Sequence, residues 1–226
     1  MTKLLIFTLS ILFFSNPNFA LTNTVDVSAN NFEEELSLAI IDAQSDTIIN
    51  MPAGQFFLKN EVLIDKEGIT LQGKGMGVTI LNFKRQRAGH PGITSLSNRT
   101  TFKDFTVIDT AGNAVTTRSA NYIHFERVET TWSTKASVDN GAYGIYPVLG
   151  EYIIIKDCKT SRSADAGIYV GQSKHVQVSG NIVYENVAGI EIENTSFADV
   201  HHNQVFDNAA GVLVFNLPHI LSLIHI

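Results

Sequence analysis

From residue 46 onwards the apolar positions come in short runs, at 47–51, 56–58, 62–64, 69–71 and 78–81. They are rich in β-branched residues and are broken by Pro52-Ala53-Gly54, Asp65-Lys66-Glu67-Gly68 and the glycine cluster Gly73 to Gly77. Such punctuation predicts many short strands joined by turns. Before them, residues 30–43 have helical spacing, with Phe32, Leu36, Ala39, Ile40 and Ala43 on one face. Asn30 and Glu33 are placed to form a capping box, and the acidic run Glu33 to Glu35 suits a helix N-terminus. One amphipathic helix ahead of an all-strand pattern is expected to cover the open first rung of a stack.

Later in the chain the pattern becomes periodic. Ala166-Gly167-Ile168-Tyr169-Val170, Ala188-Gly189-Ile190-Glu191-Ile192 and Ala210-Gly211-Val212-Leu213-Val214 recur with their glycines 22 residues apart. Asn181 and Asn203 keep the same step, as do Asn186 and Asn208. Walking back from Asn203 gives the register Asn203, Asn181, Cys158, Val128 and Phe105. A second register holds Phe197, His175, Tyr152 and Tyr122. Both contain one long step, which places an inserted loop near residues 133–140. A period of this size marks a solenoid in which each repeat buries its apolar side by stacking on its neighbours. The expected fold is all-β, a right-handed parallel β-helix with an N-terminal amphipathic capping helix. A sandwich or barrel would need two-residue hairpin turns, and Asn140-Gly141 is the sole dipeptide of that kind.

Four segments follow. Residues 1–20, with Lys3, an apolar run and a small-ended tail, read as a secretory signal too short to span a bilayer. Residues 21–45 form the capping region, 46–220 the β-helix, and 221–226 a non-native tail. The last coil lacks a cap, so a truncated C-terminus is expected. A periplasmic or secreted protein with no membrane span is the resulting expectation.

The 226-residue chain carries formal charge −6, and its densest basic run is Lys84-Arg85-Gln86-Arg87. Nucleic acid is disfavoured as a partner, because phosphate binding needs a positive surface. Cys158 is the only cysteine, so no internal disulfide can form.

The stretch Asp46 to Phe56 with Ile69-Thr70-Leu71-Gln72-Gly73 resembles the N-terminal start of the pectate-lyase-like β-helix superfamily. Gly141 to Pro147, Asp165 to Ser173 and Asn186 to Asn194 resemble a narrower group of exported bacterial β-helix repeat proteins without an assigned reaction. The resemblance implies the fold and export. The wider superfamily includes polysaccharide lyases, glycoside hydrolases, mannuronan epimerases and a periplasmic protein serving copper-enzyme maturation, and fold alone does not choose among them.

Strand alternation selects the exposed candidates. With Ile168, Val170, Ile190 and Ile192 inward, Tyr169, Glu191 and Leu213 share one outward column and Gly171, Glu193 and Phe215 the next. Tyr146 and Val148 occupy those columns one coil earlier. Aromatic rings beside carboxylates suit sugar recognition and proton transfer. Glu191, Glu193, Tyr169 and Asp165 are the catalytic candidates; Tyr146, Gln172, Lys174 and Arg162 are the substrate-binding candidates. Glu191 and Glu193 could act as acid and base in hydrolysis. A lyase or epimerase would instead draw on Tyr169, Arg162 and Lys174. Lyases of the superfamily imply calcium on Asp165, Glu191 and Glu193; no other cofactor is expected. His201 and His202, adjacent on a strand, are expected to face opposite ways and not to share a metal. His175 is expected to stack with Tyr152 and Phe197, and Cys158 to be a packed thiol.

The expected function is the binding or modification of an acidic polysaccharide or oligosaccharide by an exported protein. The alternative is a non-catalytic periplasmic scaffold acting with another exported protein.

Overall fold

The computed structural model describes residues 23–87, 91–217 and 224–225. The signal at 1–20 and most of the tail at 221–226 lie outside the described residues. Within them every strand pairing is parallel, and each strand sits beside its equivalent one coil away. This is the solenoid read from the repeats.

The coil has three faces. The first holds Thr47–Asn50, Thr70–Gln72, Glu151–Lys156, Lys174–Ser179 and Ser196–His201. The second holds Gly54–Phe57, Thr79–Asn82, Lys159–Ser161, Ile182–Tyr184 and Gln204–Phe206. Two long strands, Thr101–Ile108 and Ile123–Thr131, run through the corner and belong to both. The third face holds Val62–Ile64, Ile93–Ser95, Val115–Arg118, Ile145–Val148, Ala166–Gly171, Ala188–Glu193 and Ala210–Phe215.

Corners are made by single left-handed residues stacked in columns. One column is Asp104, Arg127, Asp157, Gly180 and His202, with φ between 50° and 69°. Another is Tyr122, Tyr152, His175 and Phe197, with φ between 54° and 61°. A non-glycine residue in this region costs roughly 1–2 kcal/mol, so the bends require compensation from their surroundings. The asparagines supply part of it. Asn181 is fully buried; its Oδ1 accepts from Cys158 N at 2.8 Å while its Nδ2 donates to Ile155 O at 3.0 Å. Asn203 repeats this one coil on, accepting from Asn181 N at 3.0 Å and donating to Val178 O. Asn186 and Asn208 do the same at the next corner, where Asn186 Oδ1 accepts from Ser163 N. Backbone groups that a bend would orphan are thereby paired.

Inside, columns such as Ile123, Ile153, Val176 and Ala198 are buried, and Phe102 stacks on Phe125 at 5.0 Å. Each fully buried aliphatic or aromatic side chain contributes about 1.5–3 kcal/mol. Gly167 and Gly189, the repeated glycines, are fixed by a close approach. A Cβ on Gly167 would lie 2.4 Å from Thr160 Oγ1, so no side chain fits there.

The helix spans Phe32–Asp42 and buries Phe32, Leu36 and Ile40 against the same core, as its spacing predicts. Two local features differ from the sequence reading. A strand, Asn23–Asp26, precedes the helix and pairs with Thr47–Asn50. The capping box does not form: Asn31 occupies the N-cap at φ 52°, without a side-chain cap bond. Glu33 instead accepts from Lys59 N at 2.9 Å and from Asn60 N at 2.8 Å. A carboxylate near the helix start is drawn to two loop amides, which ties the cap to the first coil after it.

Candidate active site on the third face

The third face places the outward residues in the columns expected. Tyr146 lies beside Tyr169 in register, Tyr169 beside Glu191, and Glu191 beside Leu213. Gly171 lies beside Glu193. Side-chain conformation adds what alternation could not. Tyr169 folds over its own strand onto Gly171, where an added Cβ would lie 2.5 Å from Tyr169 Cε1. The residue is only 6% exposed, and its hydroxyl donates to Glu193 Oε2. Tyr169 is therefore the floor of the site; its ring face is not open to a sugar.

Tyr143 completes an aromatic cluster that the sequence reading missed. Its ring stacks on Tyr146 at 4.5 Å and meets Tyr169 at 5.0 Å, while Tyr146 and Tyr169 stand 4.9 Å apart. Ala166, Ala188 and Val148 are buried beneath these rings. Tyr143 and Tyr146 remain half-buried and form the accessible aromatic surface.

Three carboxylates border the cluster. Asp165, in the turn before Ala166–Gly171, is hydrogen-bonded by the Tyr143 hydroxyl. Glu191 has its pKa raised, first by burial and then by the charges of Asp165 and Glu193. Its proton is consequently held more tightly than that of an ordinary glutamate. Burial raises all three tyrosine pKa values, and nearby carboxylates raise them further. These phenols stay protonated and act as hydrogen-bond donors.

Arg118 supplies the opposite charge. It lies one coil before Val148, is exposed, and makes no salt bridge among the described residues; its charge is felt at the Tyr146 hydroxyl. The other cationic candidates are elsewhere. Arg162 pairs with Glu185 at 2.7 Å at a different corner, and Lys174 pairs with Glu151 at 3.5 Å on the first face. Gln172 follows Gly171 at φ 47°, and its side chain hydrogen-bonds Tyr169.

Outside this face, His175 stacks between Tyr152 and Phe197 at 4.8 Å and 5.0 Å, as expected. Cys158 is buried, with its thiol pKa pushed up to about 12 by burial. The histidines differ from expectation. The strand ends at His201, and His202 at φ 55° turns the chain so that the two Nδ1 atoms lie 2.6 Å apart. No group of three or more His, Cys, Asp or Glu side chains among the described residues is arranged to hold a metal ion.

Solved structures share the architecture at low identity. The A-module of the Azotobacter vinelandii mannuronan C-5 epimerase AlgE6 superposes with a TM-score of 0.64 at 15% identity, over 81% of this chain and 58% of its own. The catalytic domain of a GH87 α-1,3-glucanase gives 0.56 at 12% identity, over 89% and 46%. Pectate lyase Pel9A gives 0.58 at 14%, over 75% and 49%. This chain thus spans about half the length of each, and the likeness is one of fold. No curated protein sequence matches it. The model of the right handed beta helix region matches residues 67–220, and the chain belongs to that family.

Proposed function

We propose that the protein is an exported glycan-active β-helix protein that cleaves a polysaccharide on the third face by acid–base hydrolysis. One observation carries the reading: Glu191, whose pKa burial and the neighbouring carboxylates raise, stands two residues from Glu193, which accepts a hydrogen bond from Tyr169, beside the half-open rings of Tyr143 and Tyr146. Glu191 then protonates the glycosidic oxygen as the carbon–oxygen bond breaks. Glu193 takes a proton from the water that attacks the anomeric carbon. Outward residues two apart on a strand are about 7 Å apart. Carboxyl groups held at that backbone spacing leave room for a water between them, the arrangement of an inverting reaction.

Elimination is less well served. A tyrosine base would need a lowered pKa, and every tyrosine here is shifted upwards. Arg118, without an ion pair among the described residues, suits an acidic group on the glycan next to the cleavage point. The neighbours whose names include a lyase, an epimerase and a glucanase support a glycan as ligand.

The test is incubation with alginate, polygalacturonate and α-1,3-glucan. New reducing ends should form without the ultraviolet absorbance of unsaturated sugars, and Glu191→Gln should remove them. Unsaturated products would replace hydrolysis by elimination. Neither turnover nor binding would favour the scaffold reading.

A further inference from the structure

The first face carries a second concave surface unrelated to the tyrosine–carboxylate site. Its wall is the ladder Tyr122, Tyr152 and His175, continued by Phe197, with ring centroids 4.9, 4.8 and 5.0 Å apart and planes within 9° of parallel. These rings are left in solvent: Tyr122 is 58% exposed and Phe197 is 52% exposed. Beside the ladder runs a trough of about 480 Å³ along the solenoid axis. Its floor is the outward column His124, Ile154, Gln177 and Asp199. Ile154 is an apolar residue left 37% exposed between polar neighbours. Stacking explains the rings' mutual contacts. It does not explain an exposed isoleucine flanked by an amide and an imidazole.

The occupant can be narrowed by chemistry. Strand addition by a peptide needs a free sheet edge, and the outward face of a paired sheet offers none. A nucleic acid strand needs a cationic groove, whereas Asp199 lies in the trough and Lys103, in the neighbouring column, is neutralised by Glu126 at 3.3 Å. An extended oligosaccharide fits. It would present one sugar unit to each rung, with apolar ring faces towards Ile154 and the aromatic wall. Its hydroxyls would turn towards Gln177 and Asp199.

We propose that this trough is a second glycan-binding surface, holding a polysaccharide parallel to the solenoid axis on a face other than the one that cleaves it. In taking a glycan as ligand it rests on the proposed function. The variants separate the two.

The test is affinity electrophoresis of the chain through native gels containing a soluble neutral α-glucan, with alginate and polygalacturonate, polyanions that the Asp199-lined trough should not hold, as controls. Gln177→Ala and Tyr152→Ala should each bind the retarding polymer about tenfold more weakly, the effect of removing a well-placed contact residue. Turnover of short oligosaccharides should stay at the wild-type level. Glu191→Gln should keep the retardation and lose turnover. Should Tyr152→Ala fail to fold, Gln177→Ala alone gives the answer, since it alters one surface side chain. Retardation of both trough variants equal to wild type overturns the second site and leaves the proposed function standing. Absence of retardation and turnover by wild type overturns both.

Discussion

Removing the amide of Asn181 tests the compensation that makes the corners stable. In Asn181→Ala the Nδ2 bonds to Ile155 O at 3.0 Å and to Asn203 Oδ1 at 2.9 Å are lost. So is the bond that Oδ1 accepts from Cys158 N at 2.8 Å. The site is fully buried, so water cannot replace them, and the Cys158 amide is left without a partner. With about 1 kcal/mol for each net bond and a further penalty of about 1–2 kcal/mol for the orphaned amide, the loss should be about 4–5 kcal/mol. For a chain of this size that corresponds to a fall in Tm on the order of 10 °C. Asn203→Ala is the internal comparison. Its side chain makes the same kinds of bond, but it is half-buried and water can substitute, so about half the loss is expected. Urea titration followed by circular dichroism measures both, with an unchanged m value showing that the same surface unfolds. A loss below about 1 kcal/mol for Asn181→Ala, or one no larger than for Asn203→Ala, would refute the reasoning.

Three further outcomes follow from the site and the core. Gly171→Ala should push the Tyr169 ring off its seat and break its bond to Glu193, lowering turnover far more than it lowers the unfolding midpoint. Glu191→Gln should abolish turnover yet stabilise the fold at neutral pH. The raised pKa means that the folded state binds the Glu191 proton more tightly than the unfolded chain does. The resulting penalty is full above the folded pKa, fades as pH falls through it, and is absent below the usual 4.5. Unfolding midpoints of both proteins across that range should converge at low pH; a constant difference would contradict the assignment. Cys158, buried with its pKa pushed up to about 12, should react with a thiol reagent only at the rate of unfolding, and prompt labelling of native protein would show the packing to be wrong.

Much of this architecture is legible in the sequence because stacking forces chemistry to repeat. Asn181 over Asn203 and Tyr152 over His175 are readable as registers, since each partner serves the next coil. Alternation likewise sorts Tyr169, Glu191 and Glu193 onto the outer side of one face. It gives side, and it gives neither tilt nor depth. Tyr169 folds over Gly171 and is buried, a consequence of the rotamer and of the missing Cβ beneath it. Tyr143 sits in a turn, where period-two parity does not apply, although its place just before the strand carrying Tyr146 was a usable clue. Arg118 was missed because the insertion near residues 133–140 breaks the step between its coil and that of Val148. His201 and His202 meet because a corner residue with positive φ ends the alternation on which the opposite-face argument relied.

The claim that the third face is a hydrolytic glycan site is tested most directly by the anomer first released from a polysaccharide, followed by proton NMR in wild type and in Glu191→Gln. The account predicts inverted product from the wild type and none from the variant. Retained configuration, or release undiminished by the substitution, would contradict it.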